Sequence, residues 1–215
     1  MLFDLDGTLI DSVYEHVAAW SLALRCEGIV LPTWKIHRHI GMSGEAFVRE
    51  LAREAGTQKR LDIRRLEKNH DAEFDKLHLE VLPGALELLE HLGRTRVGWA
   101  IATTGGREQT ERLLQKLQVP RPAVVITGDD VKQAKPAPDV FVLAAQKMRV
   151  PISDCIVIGD SPWDVLAAAR KRALGVGLLS GGYSQAELES AGAFRVYSDP
   201  NDLLLHIEDL GIPGE

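Results

Sequence analysis

Short apolar runs that end in small or acidic residues alternate along the chain with longer stretches in which apolar side chains recur every three to four positions. Runs of the first kind fit buried strands, and stretches of the second fit helices laid against a sheet. The pattern predicts strands over Met1–Asp4, Val97–Thr103, Ala123–Ile126, Cys155–Gly159 and Gly175–Leu178, with a weaker one over Phe194–Tyr197. Strand and helix in regular alternation predict an α/β fold with a parallel sheet between two helical layers.

One stretch breaks the alternation. From Val13 to Leu82 there are helical patterns, such as His16–Arg25 and Glu45–Ala55, but no apolar strand run. A crossover between parallel strands needs only about a dozen residues, so this segment is predicted to be an inserted helical lobe. The expected division is residues 1–12 and 83–215 for the core and residues 13–82 for the lobe, hinged near Ser12–Glu15 and Glu80–Pro83. Leu203–Leu205 read as the apolar face of a closing helix, and Gly211–Glu215 as a frayed tail. Trp20, Trp34, Trp99 and Trp163 read as core or interface aromatics.

A chain of 215 residues with 45% hydrophobic content can bury one substantial core and a small second lobe. The net charge of -6, with no basic run interleaved with aromatics, argues against nucleic acid as a partner. No run of eighteen apolar residues or basic leader is present, so the expectation is a cytoplasmic protein without a membrane partner. The two cysteines, Cys26 and Cys155, have no zinc or redox spacing and are expected to be buried thiols.

Ligands of open parallel sheets bind beyond the carboxyl ends of the strands, and four polar segments fall there. They are Asp4-Leu5-Asp6-Gly7-Thr8, Thr103-Thr104-Gly105-Gly106, the loop Lys135-Pro136-Ala137-Pro138, and Gly159-Asp160-Ser161-Pro162-Trp163-Asp164. Each has an ordinary explanation alone: an Asp-Gly turn, a strand hydroxyl, a surface lysine, and a helix start with Ser161 as cap, proline first and an acid third. Their order and shared placement favour a single site. Magnesium takes hard oxygen ligands and is held by one or two carboxylates plus substrate phosphate, a role that suits Asp4 and Asp160.

These four segments resemble, in order, the four motifs of the haloacid dehalogenase superfamily. The likeness spans the chain, and the helical insertion resembles the family's small cap over a Rossmann-like core. Asp11-Ser12 followed by His16 and Trp20 resembles the cap entry of the phosphoglycolate phosphatase and β-phosphoglucomutase branch. Only Met1-Leu2-Phe3 precede Asp4, fewer residues than usual relatives carry, which implies a shortened first strand.

The resemblance implies a magnesium-dependent phosphatase acting on a small phosphorylated metabolite, as a monomer or weak homodimer. Asp4 would attack phosphorus to give an aspartyl-phosphate, and Asp6 would act as general acid and base. Magnesium would be held by Asp4, the carbonyl of Asp6 and Asp160, with Asp164 acting through water. Thr103, Thr104 and Lys135 would bind the phosphoryl group, Thr103 and Lys135 sharing in catalysis. True dehalogenases attack carbon and lack the second aspartate, so Asp6 favours phosphate. Arg38-His39-Ile40-Gly41-Met42-Ser43-Gly44 resembles the cap loop that faces the site, making His16, Arg38, His39 and Ser43 candidates for touching the leaving group. The competing reading places the histidines and Arg49, Arg53, Lys59 and Arg60 on solvated faces of the lobe. A sugar-phosphate mutase and a non-catalytic phosphate-binding scaffold are the alternatives; the mutase would be expected to carry an arginine where Gly44 stands.

Overall fold

The computed structural model describes residues 1–42, 44–57, 61–116 and 118–214, apart from the side chain of Glu45. In chain order the elements are β1 (Leu2–Phe3), β2 (Ile10–Asp11), α1 (Val13–Cys26), α2 (Thr33–His37), α3 (Gly44–Glu54), α4 (Ile63–Phe74), β3 (Glu80–Val81) and α5 (Ala85–Arg94). There follow β4 (Ala100–Ala102), α6 (Arg107–Lys116), β5 (Val125–Ile126), α7 (Asp139–Met148), β6 (Ile156–Gly159), α8 (Pro162–Ala169), β7 (Leu174–Leu178), α9 (Gln185–Ser190), β8 (Arg195–Tyr197) and α10 (Pro200–Leu205). All six predicted strands form, each within a residue or two of its apolar run or as the inner part of it.

The six make one parallel sheet in the order β5-β4-β1-β6-β7-β8. Although β1 is short, it is bracketed on both sides, with Leu2 opposite Ala100 and Val157. The amide of Asp4 extends this pairing by donating to the carbonyl of Ile158 at 2.9 Å, and the Met1 ammonium donates to the carbonyl of Gly98 at 2.6 Å. Successive strand side chains point to opposite faces. Phe3, Ile101, Ile158 and Val176 therefore pack with Leu88 and Leu92 of α5, Leu113 of α6 and Leu203 of α10. Leu2, Ala100, Ala102 and Val157 face Val140, Phe141 and Ala144 of α7 and Ala167 of α8.

The lobe of α1–α4 has a core of its own, built from Val17, Leu24, Ile36, Phe47, Leu51 and Leu66 among others. It leaves and rejoins the sheet domain through β2 and β3, which pair antiparallel with Ile10 opposite Val81 and Asp11 opposite Glu80. The strands of this two-stranded ribbon are too short to show in an apolar pattern.

Several expectations are corrected. Cys26 is exposed and only Cys155 is buried; on α1 the inward position goes to Leu24, and Cys26, two residues on, faces out. Trp34 is 63% exposed on the short α2, with the Lys35 ammonium 5.6 Å from its ring centre. Of the three leucines of α10 only Leu203 is buried, while Leu205 faces solvent. The tail is tied down as far as Pro213: Ile212 joins the core, and the His91 imidazole Nε2 bonds the carbonyl of Pro213 at 2.8 Å. No helix among the described residues is long and apolar enough to cross a membrane.

Candidate active site

The turn after β1 is wound around one carbonyl. The oxygen of Leu5 accepts the amides of Thr8, Leu9 and Ile10 at 3.2, 2.9 and 3.1 Å, and the amide of Gly7 donates to the carbonyl of Ile10 at 2.8 Å. This requires the left-handed backbone of Gly7, at φ 73°, where an added Cβ would also lie 2.5 Å from the Oδ2 of Asp160. A Cβ on Gly181 would overlap the same oxygen from the other side. Two glycine backbones thus cradle the Asp160 carboxylate, whose Oδ1 accepts the Thr8 hydroxyl at 3.3 Å.

The carboxyl ends of β1 and β6 bring Asp4, Asp160 and Asp164 together, one carboxylate oxygen of each lying within 4.8 Å of the others. Lys135 reaches them from its loop. Its ammonium, with no exposed surface, lies 2.6 Å from Oδ1 of Asp4 and 2.7 Å from Oδ1 of Asp164. The other oxygen of Asp164 accepts the hydroxyl and amide of Ser161 at 2.6 and 3.2 Å, the capping box that starts α8. Asp164 is thus the helix-start acid that the sequence predicts, and it also lies against Lys135.

Charge here is unbalanced. Burial pushes the Asp4 carboxyl up to about 7, Lys135 opposing the shift and Asp164 adding to it. Burial drives Asp160 well above the usual carboxylate range, helped by Asp164 and Asp4. For Lys135, burial favours the neutral amine, but Asp164 and Asp4 outweigh it and hold the ammonium more firmly than in water.

Asp6 has different company. Its Oδ1 accepts the Ser12 hydroxyl at 2.7 Å and meets Nε2 of His16 at 3.1 Å. Burial disfavours its charge, yet His16, Ser12 and Lys135 together hold its carboxyl below the usual range. Behind it, Nδ1 of His16 meets Nε2 of His70 at 2.9 Å, and Nδ1 of His70 meets Oδ1 of Asp71 at 2.9 Å. Three such bonds require three ring protons on two imidazoles. Burial lowers the pKa of His70, so the consistent assignment is a neutral His70 that donates from Nδ1 to Asp71 and accepts at Nε2 from His16. Trp20 and Phe74 stack on His70 at 4.4 and 5.6 Å and fix the chain in place.

Above these groups lies a cavity of about 660 Å³ between lobe and sheet, lined by Asp4, Asp6, His16, Thr103, Thr104 and Asp160 among others. The Thr103 hydroxyl accepts the amide of Gly105 at 3.1 Å, and the Thr104 hydroxyl donates across to the lobe at the carbonyl of Gly41, 3.2 Å away. Of the lobe candidates, His16 lines the cavity. Arg38 instead pairs with Glu187 at 2.6 Å and lies over Tyr183, 5.1 Å from its ring centre, bridging lobe and core outside the cavity. The His39 ring bonds the carbonyl of Lys35 at 2.9 Å and is likewise not on the wall. Ser43 lies outside the described residues.

Sequence reasoning missed His70 and His37. His70 had a signal: Leu66, His70 and Phe74 recur every four residues on α4, so a histidine occupies a buried stripe. The His37 Nε2 bonds the carbonyl of Gly181 at 2.7 Å, and the ring stacks between Tyr14 and Tyr183 at 5.4 and 5.1 Å. It joins the lobe to the loop that cradles Asp160.

A parallel sheet carrying an aspartate on its central strand, a buried lysine and a further carboxylate pair, roofed by an inserted helical lobe, defines a carboxylate-centred α/β enzyme. Residues 1–170 match the model of the haloacid dehalogenase-like hydrolases, and the chain belongs to that family. Hexitol phosphatase A of Escherichia coli K12 is 33% identical over 175 residues, covering 77% of this chain and 76% of that protein. A phosphoglycolate phosphatase of Rhodospirillum rubrum is 29% identical over 212 residues, covering 93% of this chain and 86% of the relative. The crystal structure of a hydrolase from Pseudomonas syringae superposes with a TM-score of 0.92 at 49% identity, over 97% of each chain. The expected likeness to the phosphoglycolate phosphatase and β-phosphoglucomutase branch is borne out.

Proposed function

We propose that this hydrolase is a magnesium-dependent phosphatase that removes phosphate from a small phosphorylated metabolite through an aspartyl-phosphate on Asp4. Its family and its phosphatase relatives support a phosphoric monoester hydrolase. The observation that carries the reading is the cluster of Asp4, Asp160 and Asp164, with a buried ammonium paired to Asp4 and Asp164 and with Asp4 and Asp160 lining the cavity.

In this reading an oxygen of Asp4 forms a bond to phosphorus as the ester oxygen departs, taking a proton from Asp6. Asp6 is an acceptor in the resting site, where the Ser12 hydroxyl donates to it at 2.7 Å and Nε2 of His16 faces it at 3.1 Å; the imidazole, the more acidic of the two, would supply the proton. Water then attacks the phosphorus of the acyl phosphate, giving its proton to Asp6 and freeing Asp4. Lys135 neutralises charge on Asp4 and the transferring group, while the Thr103 hydroxyl and Thr104 amide orient phosphoryl oxygens. Asp164 holds Lys135 in line.

The donor set fits a hard divalent cation. Three clustered carboxylates share one lysine, all donors are oxygens, and among the described residues Asp160 has no ion-pair partner. Asp4, Asp160 and the carbonyl of Asp6 would hold magnesium, which when bound neutralises phosphoryl charge. The test is phosphate release from a panel of esters, with and without magnesium, by the wild type and a folded Asp4→Asn variant. Release that needs both magnesium and Asp4 is expected; release that needs neither overturns the proposal.

A further inference from the structure

The lining of the cavity has a charge pattern that the phosphatase reading does not use. Glu67 and Asp71 reach it from α4, and Glu108 and Asp129 from the core. Two arginines also face the cavity, but both are engaged: Arg107 pairs with Asp130, and Arg112 pairs with Asp75 at 2.9 Å. Among the described residues no lysine or arginine on this wall lacks a carboxylate partner. Burial, then Asp71 and Asp129, pushes the Glu67 carboxyl above its usual range, with Arg64 opposing the shift.

An anionic leaving group entering this space would lose water and gain no free cation, which is unfavourable. A hydroxyl-bearing leaving group would meet acceptors at Glu67 and Glu108 and at the second oxygens of Asp71 and Asp129, whose other oxygens already hold Nδ1 of His70 and the amide of Arg107, since ionised carboxylates accept and do not donate. Trp20 adds an apolar ring face to the same cavity, 4.7 Å from the ring of Phe47. The volume of about 660 Å³ is that of a site for a whole small molecule and exceeds what a two-carbon group fills.

We infer that the leaving alcohol is an uncharged polyol, and that Glu67 and its acidic neighbours discriminate against esters whose leaving group carries a carboxylate. The inference rests on the phosphatase reading. Its test uses a matched pair, sorbitol 6-phosphate and 6-phosphogluconate, which differ by a carboxylate in place of a terminal alcohol. At pH 8 with magnesium, kcat/KM should favour the polyol ester at least tenfold. Added salt should narrow the ratio through screening, and Glu67→Gln should narrow it chiefly by lowering KM for the acid. A ratio within twofold, or a preference for the acid, overturns the inference and leaves the phosphatase intact. Turnover of p-nitrophenyl phosphate with neither sugar ester does the same. No turnover of any ester by folded, magnesium-loaded protein overturns both readings.

Discussion

Replacing Lys135 with methionine keeps the volume of the side chain and removes its charge. The ammonium has no exposed surface and lies 2.6 and 2.7 Å from two carboxylates that are themselves almost wholly buried. Breaking a buried ion pair by deleting one partner costs about 3–5 kcal/mol, because the remaining charge is left uncompensated. For a chain of this size each kcal/mol moves the melting temperature by roughly 2–4 °C, so the loss should be about 6–20 °C. The assay is thermal denaturation of metal-free protein at pH 8, on Lys135→Met, Asp4→Asn and the double variant. The double variant should recover part of the loss, since one uncompensated carboxylate has gone, and the cycle isolates the Asp4–Lys135 coupling. A melting temperature lowered by less than about 2 °C, on the same scale, would refute the reasoning that Lys135 neutralises this cluster.

Other predictions follow from the same charges. The Asp4 carboxyl is pushed up to about 7 by burial, so the folded protein keeps a proton that the unfolded chain has released; its contribution to stability is present at low pH and lost as pH rises from about 4 to 7. Metal-free Asp4→Asn should therefore melt above the wild type at pH 8, and the gap should close toward pH 4. Magnesium at a hundredfold over its dissociation constant should stabilise the wild type by about 2.7 kcal/mol, seen as a rise of roughly 5–11 °C; Gly181→Ala, whose Cβ would overlap the Asp160 carboxylate, should abolish most of that rise. His70→Phe keeps a ring between Trp20 and Phe74 but removes the acceptor behind His16, and should lower kcat about tenfold with little change in KM, a small part of what general acid–base groups contribute. An unchanged kcat would show that the imidazole chain does not position Asp6.

The sheet was legible because its strands are buried on both faces, so Leu2-Phe3, Ala100-Ile101-Ala102 and Ile156-Val157-Ile158 appear as unbroken apolar runs between helical periods. The grouping of the candidate residues was legible for a related reason: in a parallel sheet, residues that end strands gather in space. Asp4, Thr103 and Asp160 could therefore be grouped although about a hundred positions separate the first two. What remained hidden depends on contacts between distant segments with no local signature. Ile10 and Val81 pair only because the lobe returns there, Gly181 matters only because Asp160 lies against it, and the direction of Arg38 is set by Glu187 on α9. His70 lay between these cases, since a histidine on an apolar stripe could be seen while its partner could not.

The central claim is that Asp4 carries the phosphoryl group. During turnover of an ester with a radiolabelled phosphate, rapid acid quenching should trap label on the peptide that contains Asp4, in a bond cleaved by hydroxylamine, and the folded Asp4→Asn variant should trap none. Phosphate release by that variant at the wild-type rate, or release by the wild type with no covalent label at any quench time, would contradict the account.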